Sequence, residues 1–304
     1  VSNGRAIVEQ SSFEPLPYGL LSVATDRSAS APNHWAAGVT WDEHCPAGSS
    51  TFDRCLVLAR DGSTESTTTA PTPASKGQSD STTYRSRGAV PFTVVYELDC
   101  STPGFWDQSE RRAREGLVRD ESRQVEAVLS QGVTGASSTA VVWPHLAADT
   151  ALVDTTGAIL QLPATTPLSG TATDIVSAVR FLERGLASCY GGVGVIHVPA
   201  EVFTIMDTED LVRRDGGALY SPGGHRISVG AGYTGGAPDG STDEDEPWIY
   251  GTGPVWFYRG DVTVFDRGDS LDRSVNTVQA IAERTYVVGY DCCLFGVAVD
   301  LGEV

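Results

Sequence analysis

Residues 90–132 read VPFTVVYELDCSTPGFWDQSERRAREGLVRDESRQVEAVLSQG, and the order of events in this stretch decides the fold. Pro91-Phe92-Thr93-Val94-Val95-Tyr96 is β-branched and aromatic, which predicts a strand. Ser101-Thr102-Pro103-Gly104 then turns the chain, with Thr102 or Ser101 placed to cap a helix and Pro103 suited to its first turn. From Phe105 to Gln131 no proline intervenes, and Gly132 is a C-terminal stop. The predicted helix, within residues 103–132, runs for roughly 28 residues, about 42 Å at 1.5 Å per residue. Leu117, Val118, Val125, Val128 and Leu129 form one narrow apolar stripe. Glu110, Arg111, Arg112, Arg114, Glu115, Arg119, Asp120, Glu121, Arg123 and Glu126 cover the rest. A helix so long and so charged is half solvated or runs along a partner.

Upstream, Val1 to Gly38 carries Pro15, Pro17 and Pro32 among short apolar groups, which predicts an extended arm that needs a surface to lie on. Val39-Thr40-Trp41 and Thr51 to Arg60 read as strands. Between Asp61 and Gly88 serine, threonine, proline and glycine dominate, so little apolar surface is available to offset the ordering entropy. With strand-like flanks, that segment predicts the tip of a long hairpin; an interdomain linker is the alternative.

Downstream, Thr139 to Trp143 is a strand candidate. Ile175, Val179, Leu182 and Leu186 fall at i, i+4, i+7 and i+11, predicting a helix over 173–189. A buried strand follows at Val193 to Val198, and Pro199 opens a helix carrying Val202, Phe203, Met206 and Leu211. Gly216 to Tyr220 and Arg226 to Val229 flank a turn at Pro222-Gly223-Gly224. Gly235 to Glu246 is an acidic, solvated loop that lacks the ligand spacing of a calcium loop. Trp248 to Tyr258, Asp261 to Asp266, Val275 to Val288 and Cys292 to Leu301 complete a β-rich last quarter, the final run being apolar enough for a central strand.

The 304 residues carry a net charge of −18, and Lys76 is the single lysine. Such acidity disfavours sequence-independent grip on nucleic acid, whose affinity comes largely from neutralised phosphates. No apolar run approaches a membrane span, and no secretory leader is visible, so a soluble protein made in the cytoplasm is expected. Cys45, Cys55, Cys100, Cys189, Cys292 and Cys293 show no Cys-x-x-Cys spacing and read mainly as buried thiols. No nucleophile elbow, phosphate loop, zinc-protease helix or dinucleotide fingerprint is present. His34, His44, His145, His197 and His225 are scattered, and His197 reads as a satisfied core residue. Neither a cofactor nor a metal is expected, and an enzyme is disfavoured.

In this order of elements the chain resembles the major capsid proteins of tailed bacteriophages, whose Hong Kong 97 fold is shared with encapsulin shells. The resemblance runs through the arm, the hairpin (Thr51 to Leu98), the helix Pro103 to Gly132 with Gly135 beyond it, and Thr173 to Gly232. It ends in the segment Asn276-Thr277-Val278-Gln279-Ala280-Ile281-Ala282-Glu283-Arg284, which leads into Cys292 to Leu301. It implies an α+β fold with an arm at 1–38 and an E-loop hairpin at 39–100 with its tip at 61–88. A peripheral (P) domain would take 101–145 and 252–290, including the spine helix 103–132, and an axial (A) domain would take 146–251 and 291–304. The implied function is self-assembly, as hexamers and pentamers, into the icosahedral head of a virion enclosing double-stranded DNA without sequence-specific binding. Scaffolding, portal and decoration proteins are the implied partners, with assembly in the host bacterial cytoplasm. Some family members weld subunits through an isopeptide bond, which here would join Lys76 to Asn276 with help from Glu283. Asn276 and Glu283 are an odd number of residues apart, on opposite faces of a regular strand. No cleaved scaffolding segment is visible at the front of the chain, so a separate scaffold or none is expected. The competing readings are an encapsulin-like compartment, a minor decoration or tail protein of a virion, and a hydrolase using the acidic residues.

Overall fold

The computed structural model describes residues 16–30, 33–43, 85–100, 109–132, 142–148, 165–241, 243, 245–266 and 278–302. The architecture is α+β, with two main sheets and a small hairpin ladder; elements are numbered in chain order.

The first sheet is built around β13 (Val278–Tyr290), a strand long enough to serve two neighbours on one edge. On its other edge β4 (Phe92–Cys100) runs antiparallel from Val278↔Cys100 to Tyr286↔Phe92. The two neighbours, β11 (Val255–Arg259) and β12 (Thr263–Asp266), pair antiparallel with it one after the other, and β1 (Thr25–Asp26) adds to β11 in parallel. Alternation sorts the two faces. Phe92, Val94, Ala280, Ala282 and Tyr286 are buried under α2 (Ser109–Gln131), whose Ala113, Leu117, Val125, Val128 and Leu129 meet them. Val118, expected on that stripe, is instead 45% exposed. Gly116 has a packing role, since a Cβ there would lie 2.3 Å from the Tyr96 ring. The helix stops where expected, at Gly132, whose φ of +70° strains any residue with a side chain. The first residues of the expected helix, 103–108, lie outside the described residues.

The second sheet has seven strands in the order β5 (Thr166–Pro167), β14 (Leu294–Ala298), β10 (Trp248–Thr252), β6 (Val195–Pro199), β9 (Arg226–Gly230), β8 (Ala218–Tyr220) and β7 (Arg213–Asp215). Only β5–β14 and β6–β9 are parallel pairs. α3 (Ile175–Cys189) and α4 (Ala200–Thr208) pack on one face through Val179, Leu182, Leu186, Val202 and Met206, against Ile196, Val198, Ile227, Ile249 and Val297. Asp174 caps α3, its carboxylate accepting from the Ser177 N–H at 2.9 Å. The opposite face, with Val195, Tyr250 and Leu294, joins the core under α2, so a single apolar layer lies between the two sheets.

β2 (Val39–Glu43) and β3 (Arg85–Ala89) form an antiparallel ladder from Val39↔Ala89 to Glu43↔Arg85. They pair as the base of a hairpin, but residues 85–88, expected in its tip at 61–88, lie in β3 instead, with Arg87 buried; residues 44–84, including Thr51 to Arg60, lie outside the described residues.

Several expectations need correction. The span Trp248 to Tyr258 is two strands, β10 and β11, which part at Gly253-Pro254 and enter different sheets. β14 is buried and flanked on both sides, by β10 and β5, as expected of Cys292 to Leu301, but it is shorter, Leu294–Ala298. Leu211 follows α4, which ends before the left-handed Asp210 at φ 55°. Val142 and Trp143 are irregular, with a cis peptide at Trp143–Pro144. Residues 16–30 are not extended throughout: α1 (Leu20–Val23) puts a fully buried Leu20 into the chain's own core. Finally, Cys189 and Cys293 are not free thiols but a disulfide, 104 residues apart with Cα atoms at 6.2 Å, and Cys292 is disulfide-bonded as well.

Candidate functional site

Where the two sheets meet α2, polar groups run through the apolar layer. Glu126, read from the sequence as part of the solvated face, is buried at 2% exposure. Its Oε1 accepts from the Leu20 N–H at 3.1 Å and the Ser122 hydroxyl at 3.3 Å, and its Oε2 accepts from the Gly232 N–H at 3.1 Å. One carboxylate thus ties the entering chain, the long helix and the loop after β9. Burial pushes its pKa up, opposed by the three hydrogen bonds. The entering chain is also held by Arg226 Nη1 donating to the Val23 carbonyl at 2.8 Å and by the Val229 N–H donating to the Tyr18 carbonyl at 2.9 Å.

Beside Glu126 lies a second buried network. His197 Nδ1 is 3.0 Å from the Tyr233 hydroxyl, and its Nε2 is 3.0 Å from Thr252 Oγ1. Ser228 Oγ is 2.9 Å from the same Tyr233 oxygen, while the Thr252 hydroxyl donates to the Gly253 carbonyl at 2.9 Å. Since the Thr252 proton is committed to that carbonyl, its oxygen accepts from a protonated Nε2, which leaves Nδ1 to accept from Tyr233. Every member is satisfied by this one tautomer. Burial holds the imidazole pKa down at about 3, so the ring is neutral. Burial likewise raises Tyr233 well above its ordinary value, with Glu126 adding to the effect. This is the satisfied core histidine that the sequence predicts.

On the first sheet, Glu121 accepts from Arg284 Nη1 at 3.0 and 2.8 Å and from the Tyr286 hydroxyl at 2.8 Å. The pair is mostly buried and bolts α2 to β13. The Tyr286 pKa is raised, first by burial.

Among the described residues, the face of that sheet turned away from α2 is covered at one end. Trp35, Val39, Trp41 and Ala89 close over Trp256, Tyr258 and Val287, with Trp41 edge-on to Trp256 at 4.9 Å and Trp35 stacked on Tyr258 at 5.9 Å. Toward β4 and β12 the face is open: Val95 is 50% and Phe265 47% exposed, beside exposed Thr93, Glu97 and Asp99. Glu283 sits here, half-buried, between Val95 and Thr263. Of the three residues the resemblance assigns to a cross-link it is the one described; Lys76 and Asn276 lie outside the described residues. Among the described residues no group of His, Cys, Asp or Glu is arranged to hold a metal ion, and no helix is long and apolar enough to cross a membrane.

No protein-family model matches the chain, and no curated protein matches it by sequence. Solved structures do match along nearly its whole length. A chain of Mycobacterium phage Ogopogo superposes with a TM-score of 0.55 at 12% identity, covering 97% of this chain and 96% of the phage chain. The capsid of an empty gene transfer agent (GTA) particle gives 0.52 at 13% identity, with coverages of 99% and 95%. The capsid of the native GTA particle gives 0.50 at 13%, with 98% and 97%. Identity this low speaks to architecture, and on architecture the comparisons agree: the chain shares its fold with the Mycobacterium phage chain and with the capsid of GTA particles, the Hong Kong 97 type that its order of elements resembles.

Proposed function

We propose that the chain is a major shell protein, many copies of which close into the icosahedral head of a tailed bacteriophage around double-stranded DNA. The observation that carries this reading is the end-to-end match to the capsid of a GTA particle, 99% of this chain against 95% of that one. The seven-stranded sheet with α3 and α4 is then the axial domain. The five-stranded sheet with α2 as spine helix is the peripheral domain, and the β2–β3 ladder is the base of the E-loop. Modest contacts repeated between copies by arm and hairpin supply the avidity that closes a shell. A charge of −18 keeps packaged DNA from adhering to the wall. Scaffolding, portal and decoration proteins are the further partners on this reading, with the virion as destination.

The test is the content of purified particles. A nuclease-resistant DNA genome, with this chain as the dominant protein, is expected. Particles with enzyme cargo and no nucleic acid would instead mark an encapsulin-like compartment, and trace abundance in a virion would mark a minor component. Denaturing electrophoresis of the same particles tests the weld between Lys76 and Asn276: a ladder of covalent multimers supports it, and a single monomer band eliminates it.

A further inference from the structure

The disulfide between Cys189 and Cys293 joins the last residue of α3 to the turn between β13 and β14. It is not needed to bring those elements together. Leu182 and Leu186 are fully buried against the sheet, and Gly185 lets α3 lie so close that a Cβ would sit 3.1 Å from the Phe295 ring. The helix therefore finds its seat by packing, and that packing delivers Cys189 to Cys293. Cys293 is 2% exposed and Cys189 is half-buried, so reagents in solution reach the bond from the Cys189 side.

We propose that Cys189 and Cys293 form a redox lock that closes after folding, when the subunit leaves a reducing compartment. The proposal rests on the shell reading, in which a particle is built inside a cell and then released; the cytosol keeps thiols reduced, and the exterior does not. The oxidant is a low-molecular-weight disulfide. The Cys189 thiolate attacks one of its sulfurs, forming a mixed disulfide and expelling one small thiol. The Cys293 thiolate then displaces the second small thiol as the Sγ–Sγ bond forms. Two protons and two electrons leave the cysteine pair, and the small disulfide is reduced to two thiols. A closed lock fixes α3 to the sheet edge and lowers the entropy of the unfolded chain across a loop of 104 residues.

The experiment compares wild-type particles with those of the double variant Cys189→Ser/Cys293→Ala, each prepared under dithiothreitol and then with or without oxidised glutathione. Peptide masses after alkylation report the bond, and thermal melting reports its effect. Reduced wild type and reduced variant should melt together with the same circular dichroism. Oxidised wild type should melt at least about 5 °C above the oxidised variant, whatever the bond at Cys292 contributes to both. The lock is overturned if oxidised wild type and variant melt together, if glutathione leaves Cys189 and Cys293 alkylatable, or if the reduced wild type does not fold. Absence of particles in every redox condition would sink the shell reading instead.

Discussion

Arg284 of β13 reaches across to Glu121 of α2 and gives both carboxylate oxygens a hydrogen bond from a single nitrogen, at 3.0 and 2.8 Å, while Tyr286 donates to one of them. The long helix is thus pinned to the central strand by a charge pair at 9% and 16% side-chain exposure. Removing one member strands the other. Glu121→Ala is expected to lower stability by about 3–5 kcal/mol, whereas Glu121→Leu combined with Arg284→Met should recover most of that loss. Chemical denaturation of the subunit decides it; equal loss in single and double variants would show that the pair itself carries the stability.

Gly116 sits in mid-helix, where alanine is intrinsically better by about 1 kcal/mol. The Tyr96 ring occupies the space a methyl group would need, and overpacking costs about 1–3 kcal/mol. Gly116→Ala is therefore expected to destabilise or at best break even. Gly116→Ala combined with Tyr96→Leu, which removes the ring, should be more stable than Tyr96→Leu alone.

Two buried groups give opposite pH dependences. His197 is neutral when folded, with its pKa lowered to about 3, whereas the unfolded chain takes up a proton near 6.5. Stability from this group is complete above pH 6.5 and falls as the pH drops toward 3, by up to about 1.4 kcal/mol per pH unit. His197→Gln should flatten that acid limb. For Glu126 the folded pKa is raised, so the unfolded chain loses its proton first. Its contribution is greatest below about pH 4.3 and declines as the pH rises through the folded value. Glu126→Gln should remove this decline. Denaturation midpoints from pH 4 to 8 for the three proteins test both signs.

Much of this fold can be read from local pattern alone. The stripe Ile175, Val179, Leu182, Leu186 is an α-helix, and Phe92–Cys100 and Ser109–Gln131 are the expected strand and long helix. What escapes is set by contacts distant in sequence. Glu121 and Glu126 look solvated because their neighbours on α2 are charged; β13, the Gly232 loop and the entering chain at Leu20, each over 100 residues away, make them buried. Trp248 to Tyr258 looks like one strand, yet Pro254 lets the chain leave one sheet for the other. Cys189 and Cys293 pair only because α3 ends beside the β13–β14 turn, and no cysteine spacing reveals that. The polar seam had one local signal, a histidine inside an apolar strand at His197.

Whether this subunit closes shells with its own copies is decided by negative-stain electron microscopy of the purified protein. Hollow, closed particles of uniform diameter, built from this chain, are expected. A compact monomer or small oligomer, with no particles at any concentration, salt or redox condition, would contradict shell closure.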